Sequence, residues 1–103
     1  MVPNKVLSLL GLAMKAGKVV SGEFMTEKEI KSGKAKLVIV ASDASENTKK
    51  MFRNMSEYRH VEMIEFGDKE SLGRAIGKEM RASLAIIDEG FAKSIRSQAG
   101  LKN

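Results

Sequence analysis
The sequence predicts an α/β/α sandwich around a small sheet, and three observations carry that reading. Helix-like and strand-like segments alternate along the whole chain, with no repeat, low-complexity tract or linker. Two apolar runs, residues 37–41 and 84–87, show no polar alternation, as expected of strands covered on both faces. The 103 residues suffice for one domain, residues 1–103, with one modest core.

The elements follow in order. Val6, Leu9, Leu10 and Ala13 recur at helical spacing after Asn4, an expected N-cap, and Ala16-Gly17 supplies the stop. Val19 and Val20 form a short strand ending at Ser21-Gly22. A second helix spans residues 23–32 and closes at Gly33. Residues 37–41 form the central strand. Asp43 and Glu46 resemble a capping box, and Thr48, Met51, Phe52 and Met55 give the third helix its core stripe. Residues 61–66 read as an imperfectly alternating strand before Gly67. Asp68 caps a short fourth helix that buries Leu72, Ala75 and Ile76 before Gly77. Residues 84–87 are the last strand, and Asp88 caps a final helix packed through Phe91 and Ile95. The tail from Gln98 to residue 103 is expected to fray.

Composition narrows the function classes. Eighteen Lys plus Arg against 13 Asp plus Glu give a net charge of +5 and a pI near 9.6, which favours anionic partners. Residues 1–36 hold seven of the lysines (Lys5, Lys15, Lys18, Lys28, Lys31, Lys34, Lys36) and only three acids, so the basic surplus is mostly N-terminal. Without cysteine, thiolate metal sites, disulfides and Cys nucleophiles are excluded. The single histidine, His60, leaves too few ligands for a familiar zinc site and has no serine or acid motif around it. Gly73 and Gly77 lack the Lys-Ser/Thr of a phosphate loop. Asp88-Glu89 reads as a cap and a dipole partner. No catalytic centre, metal site or cofactor site emerges. Apolar runs stop at five residues, far short of a membrane span, and the cytoplasm is the expected compartment.

The second helix breaks the amphipathic pattern. At about 100° per residue, Phe24 and Met25 lie roughly 120° and 140° from Ile30, which must face the core if the helix packs. Lys28 and Lys31 share the face of Phe24. An aromatic and a thioether therefore sit beside two cations at a helix start, just after Gly22 and beside Glu23. Such a start presents free N–H groups and partial positive charge, which suit phosphate, while apolar side chains suit splayed RNA bases. The competing reading folds Phe24 and Met25 over the sheet edge as a hydrophobic rim. A second segment favours the first: Lys78, Glu79, Met80 and Arg81 place an apolar residue between charges in the loop before the last strand. Lys15 and Lys18 are explained equally by phosphate contact and by a solvated helix end. Lys34 and Lys36 fall at the wrong end of the second helix, and Lys49 and Lys50 read as a polar helix face.

Several stretches resemble a known family. Residues 22–33, then Ala35-Lys36-Leu37-Val38-Ile39-Val40-Ala41-Ser42-Asp43-Ala44, Leu72-Gly73-Arg74-Ala75-Ile76-Gly77 and Ala85-Ile86-Ile87-Asp88-Glu89-Gly90 follow in the order seen in kink-turn-binding ribosomal proteins. The openings Leu10-Gly11-Leu12-Ala13 and Ala16-Gly17-Lys18-Val19-Val20-Ser21-Gly22 most resemble its bacterial YlxQ-type branch. The similarity spans residues 4–96. It implies a three-layer α/β/α sandwich with a mixed sheet of about four strands. It also implies binding to RNA kink-turns, with the second helix's start set against tandem sheared G·A pairs and an apolar loop covering a protruding base. Gly22 matches the family's helix-opening glycine and Lys28 its helix lysine, and Lys78, Glu79, Met80, Arg81 and Ala82 fall at the base-covering loop. Where archaeal and eukaryotic members carry an Asn-Glu pair that reads the G·A edges, this chain has Phe24 and Met25, which cannot hydrogen-bond in that way.

The expectation is thus a non-catalytic, monomeric protein that binds structured RNA, ribosomal or otherwise non-coding, with ribosomal proteins as further partners and no membrane. The rival expectation is a protein-interaction module that docks its apolar edge on the translation or RNA-processing machinery.

Overall fold
The computed structural model describes residues 5–100. Nine elements alternate: α1 (Lys5–Lys15), β1 (Val19–Ser21), α2 (Glu23–Ser32), β2 (Leu37–Val40), α3 (Glu46–Tyr58), β3 (Met63–Glu65), α4 (Lys69–Ala75), β4 (Ser83–Ile86) and α5 (Glu89–Gln98). The four strands make a mixed sheet in the order β1-β4-β2-β3. β4 runs antiparallel to both neighbours, with Val19 and Leu37 facing Ile86 from either side, while β2 and β3 are parallel with Val38 opposite Met63. Helices α1, α4 and α5 pack together on one face, and α2 and α3 cover the other. This is the three-layer sandwich the sequence predicts.

Burial explains the strand patterns. Every residue of β2 and β4 is buried, because both central strands carry helices on both faces, whereas edge strands β1 and β3 are only partly covered. Leu10, Ile30, Leu37, Ile39, Phe52, Leu72, Leu84, Ile86 and Ile95 are fully buried and fill the two helix–sheet layers.

Several boundaries differ from expectation. Ser45, not Asp43, caps α3, its hydroxyl accepting from the Thr48 N–H at 3.1 Å. Asp43 instead accepts from the Lys69 N–H at 2.9 Å and ties the β2–α3 turn to the start of α4. The third-helix stripe is centred on Phe52 and Ser56, with Met51 and Met55 half-buried at its margins. β3 is shorter than residues 61–66, although the Glu62 carbonyl and the Phe66 N–H on either side of it also pair with β2. β4 begins one residue early, at Ser83. Asp68 and Asp88 cap α4 and α5 as expected, and Asp68 and Ser71 form a reciprocal capping box. Gln98 is the last residue of α5, and the Ala99 N–H donates to the Ile95 carbonyl just beyond it. Asn4 and the last three tail residues lie outside the described residues. No helix among those described is long and apolar enough to cross a membrane.

Candidate nucleic-acid interface
The start of α2 is set by the backbone of Gly22. At φ 91° and ψ 158° it occupies a region essentially closed to other residues, although a Cβ there would meet nothing within 4 Å. Conformation, not space, demands the glycine. Its N–H donates to the Ser83 carbonyl at 3.0 Å, fastening the helix start to β4. Gly22 offers no capping side chain, so the N–H groups of Glu23, Phe24 and Met25 receive no side-chain cap.

The rotation of α2 follows its phase. Thr26, Glu29 and Ile30 are buried, and the Ser83 hydroxyl donates to the Thr26 hydroxyl at 3.3 Å inside the core. Phe24, on the other side, is 76% exposed. Lys28 and Glu23 are exposed beside it. Met25 departs from the expectation and is half-buried, because it lies one turn before buried Glu29 on the same side of the helix. Lys31 is not a free cation: its ammonium meets Glu27 at 2.8 Å, one turn earlier. Lys28 has no ion-pair partner among the described residues.

The loop of residues 78–82 is pressed against α4 at Gly73. A Cβ there would sit 1.9 Å from the Glu79 carbonyl oxygen, so only glycine lets the loop lie down. The Lys78 N–H donates to the Gly73 carbonyl at 2.8 Å and the Arg81 N–H to the Lys69 carbonyl at 3.0 Å. Held this way, the loop exposes Lys78, Glu79 and Met80, the last at 62%. Two residues of this segment, both expected at the RNA surface, are engaged within the protein. Arg81 is half-buried, donating from Nε to the Ser21 hydroxyl at 3.0 Å and from Nη1 to the Met80 carbonyl at 3.0 Å. It positions the loop. Ala82 packs against the core and supplies its carbonyl to the Ala41 N–H.

The two segments do converge on one end of the sheet, because Ser21 directly precedes Gly22 and Arg81 directly follows Met80. The sequence did not disclose that join. Gly73 within a helical pattern was its one local signal. Lys18, whose carbonyl pairs with Ile87, and Lys36, whose N–H pairs with Ile86, lie at the opposite end, as Lys34 does. Lys49 is no plain surface lysine either: it reaches Glu65 and Glu46 at 3.5 and 3.7 Å and is largely covered. His60 is exposed, with φ 60° in the α3–β3 turn. At the α2 end, exposed Glu23 and Glu79 offset part of the positive charge of Lys28 and Lys78. Packing and backbone N–H groups therefore matter there as much as net charge.

Fold and surface together define a small α/β/α recognition domain, with an uncapped helix start and an apolar-tipped loop joined along one edge. The chain belongs to the ribosomal protein L7Ae/L30e/S12e/Gadd45 family, which it matches over residues 4–96. It is 45% identical over 93 residues to the RNA-binding protein YlxQ of Enterococcus faecium, covering 90% of this chain and 89% of that one. To the RNA-binding protein YlxQ of Bacillus subtilis it is 46% identical over 89 residues, or 86% and 89% of the two chains. Among solved structures, a protein with unknown function from Bacillus halodurans superposes with a TM-score of 0.87 at 36% identity, covering 90% of this chain and 94% of that one.

Proposed function
We propose that the chain is a non-catalytic RNA-binding protein that recognises a kink-turn or a similarly bent structured RNA, ribosomal or otherwise non-coding, as a cytoplasmic monomer. The observation that carries the reading is Phe24, 76% exposed at an uncapped helix start beside unpaired Lys28. A single exposed apolar side chain is ordinary on a protein surface, but an aromatic ring set between free first-turn N–H groups and a cation joins the packing and phosphate contacts that a splayed RNA base requires. The chain's similarity to two bacterial RNA-binding proteins supports RNA as the ligand.

The division of labour follows from chemistry. The first-turn N–H groups and Lys28 meet backbone phosphates, which positions the RNA. Phe24 and Met80 pack on unstacked bases or sugars, each stacked base contributing about 1–3 kcal/mol. Arg81 and Ser21 keep the two contacts at a fixed separation. With apolar residues where archaeal and eukaryotic members of the family carry an Asn-Glu pair, shape and splayed bases carry more of the recognition than G·A edges do.

Mobility shift with a kink-turn duplex and a control whose G·A pairs are disrupted tests this. Preference for the kinked duplex supports the reading, and equal weak binding to both contradicts it.

A further inference from the structure
The lysine surplus of residues 1–36 does not gather at the α2 start. Lys15, Lys18, Lys34 and Lys36 all lie at the other end of the sheet, where α1 and α2 finish, and Arg59 joins them from the end of α3. None of these five has an ion-pair partner among the described residues. The carboxylates at this end are largely committed. Arg96 holds Glu62 and Glu89, each at 3.4 Å, and Asp88 caps α5 through the Phe91 N–H at 2.9 Å, which leaves Glu57.

Helix dipoles account for cations at helix C-termini. They do not account for Tyr58, which is 79% exposed with the Arg59 guanidinium 5.5 Å from its ring centroid. His60, at φ 60°, turns the chain immediately after this pair. Beside it opens a cleft of about 380 Å³ whose polar lining is Lys36, Arg59, His60, Arg96 and the two carboxylates Arg96 holds, Glu62 and Glu89. An exposed ring, a guanidinium on its face and unpaired lysines beside a polar cleft are what single-stranded nucleic acid requires: a stacking platform next to phosphate contacts.

We infer that this end of the sheet is a second nucleic-acid surface, which takes single-stranded RNA by stacking a base on Tyr58 while Lys34, Lys36 and Arg59 meet its phosphates. The choice of RNA as the polyanion rests on the function proposed above. The two surfaces lie at opposite ends of the strands, so the protein holds two RNA segments at once and bridges them.

Fluorescence anisotropy on the full chain tests this, with a short labelled single-stranded RNA of mixed sequence and saturating unlabelled kink-turn duplex. The single strand should stay bound when the duplex is present. The double variant Tyr58→Ala/Arg59→Ala should lower its affinity about tenfold or more, with an unchanged circular dichroism melt, while Tyr58→Phe keeps it. Displacement by the duplex, indifference to the double variant, or equal competition by poly-glutamate would each overturn the inference. Tyr58-dependent binding of the single strand without any binding of the duplex would uphold this surface and remove the kink-turn reading instead.

Discussion
The Arg81 guanidinium donates to the Ser21 hydroxyl at 3.0 Å, joining residues 60 positions apart in the chain. Through this bond the residue preceding the α2 start and the residue following Met80 share one frame. The geometry of the candidate surface depends on it more than on any single exposed side chain.

Breaking that bond should therefore affect binding more than folding. Arg81→Ala is expected to cost about 0.5–1.5 kcal/mol of stability, the worth of an ordinary hydrogen bond, and to weaken RNA binding by releasing the loop. In a double-mutant cycle with Ser21→Ala, the two losses of affinity should be non-additive. Additive losses would mean that Arg81 contacts RNA directly.

Lys28→Ala and Ile30→Ala separate the two faces of α2. Lys28→Ala should weaken RNA binding and leave the melting temperature nearly unchanged. Ile30 is fully buried, so Ile30→Ala should cost about 2–5 kcal/mol through the cavity it leaves. Thermal melts paired with RNA titrations check both. The reverse pattern would rotate the helix.

Gly73→Ala should dislodge the loop. The added methyl meets backbone at Glu79, which cannot swing aside as a flexible side chain would. Overpacking of this kind costs about 1–3 kcal/mol. Amide exchange at residues 78–81 should rise along with the loss of RNA affinity. Unchanged exchange would show that the loop does not need this close approach.

Asp68 sets an acid limit on α4. The Ser71 backbone N–H, followed by the Ser71 hydroxyl, holds its carboxyl below the ordinary value. A depressed folded-state pKa means that the stabilisation is fully present above the ordinary carboxylate range and is lost as pH falls through the lowered value. The protection factor of the Ser71 amide, with the intrinsic pH dependence of exchange divided out, should fall as pH is lowered through that range, and Asp68→Asn should abolish that fall. A flat profile in the unaltered chain would contradict the assignment.

Much of this was legible in the sequence, and the exceptions have physical causes. The sandwich was readable because the short, β-rich, unalternating runs at 37–41 and 84–87 suit strands covered on both faces, and β2 and β4 fall on them to within a residue at each end. The rotation of α2 was readable because Phe24 and Ile30 cannot both face a core across 120°. The α3 cap was misassigned because Asp43 and Ser45 both suit such a position, and only the chain path shows Asp43 turned to Lys69. The Ser21–Arg81 join arises from strand order, which no local pattern encodes, whereas the length of α2 already set Lys34 and Lys36 at the end away from Phe24. The burial of Glu29 follows from the same rotation that buries Ile30, with Ser32 donating to its carboxylate at 3.0 Å.

Titration of a kink-turn duplex with the unaltered chain and with Phe24→Ala, across a series of salt concentrations, tests the central claim most directly. Phe24→Ala should lose about 1–3 kcal/mol in affinity with the same slope of log K against log salt, because packing is removed and charge is not. Undiminished affinity in Phe24→Ala would contradict it.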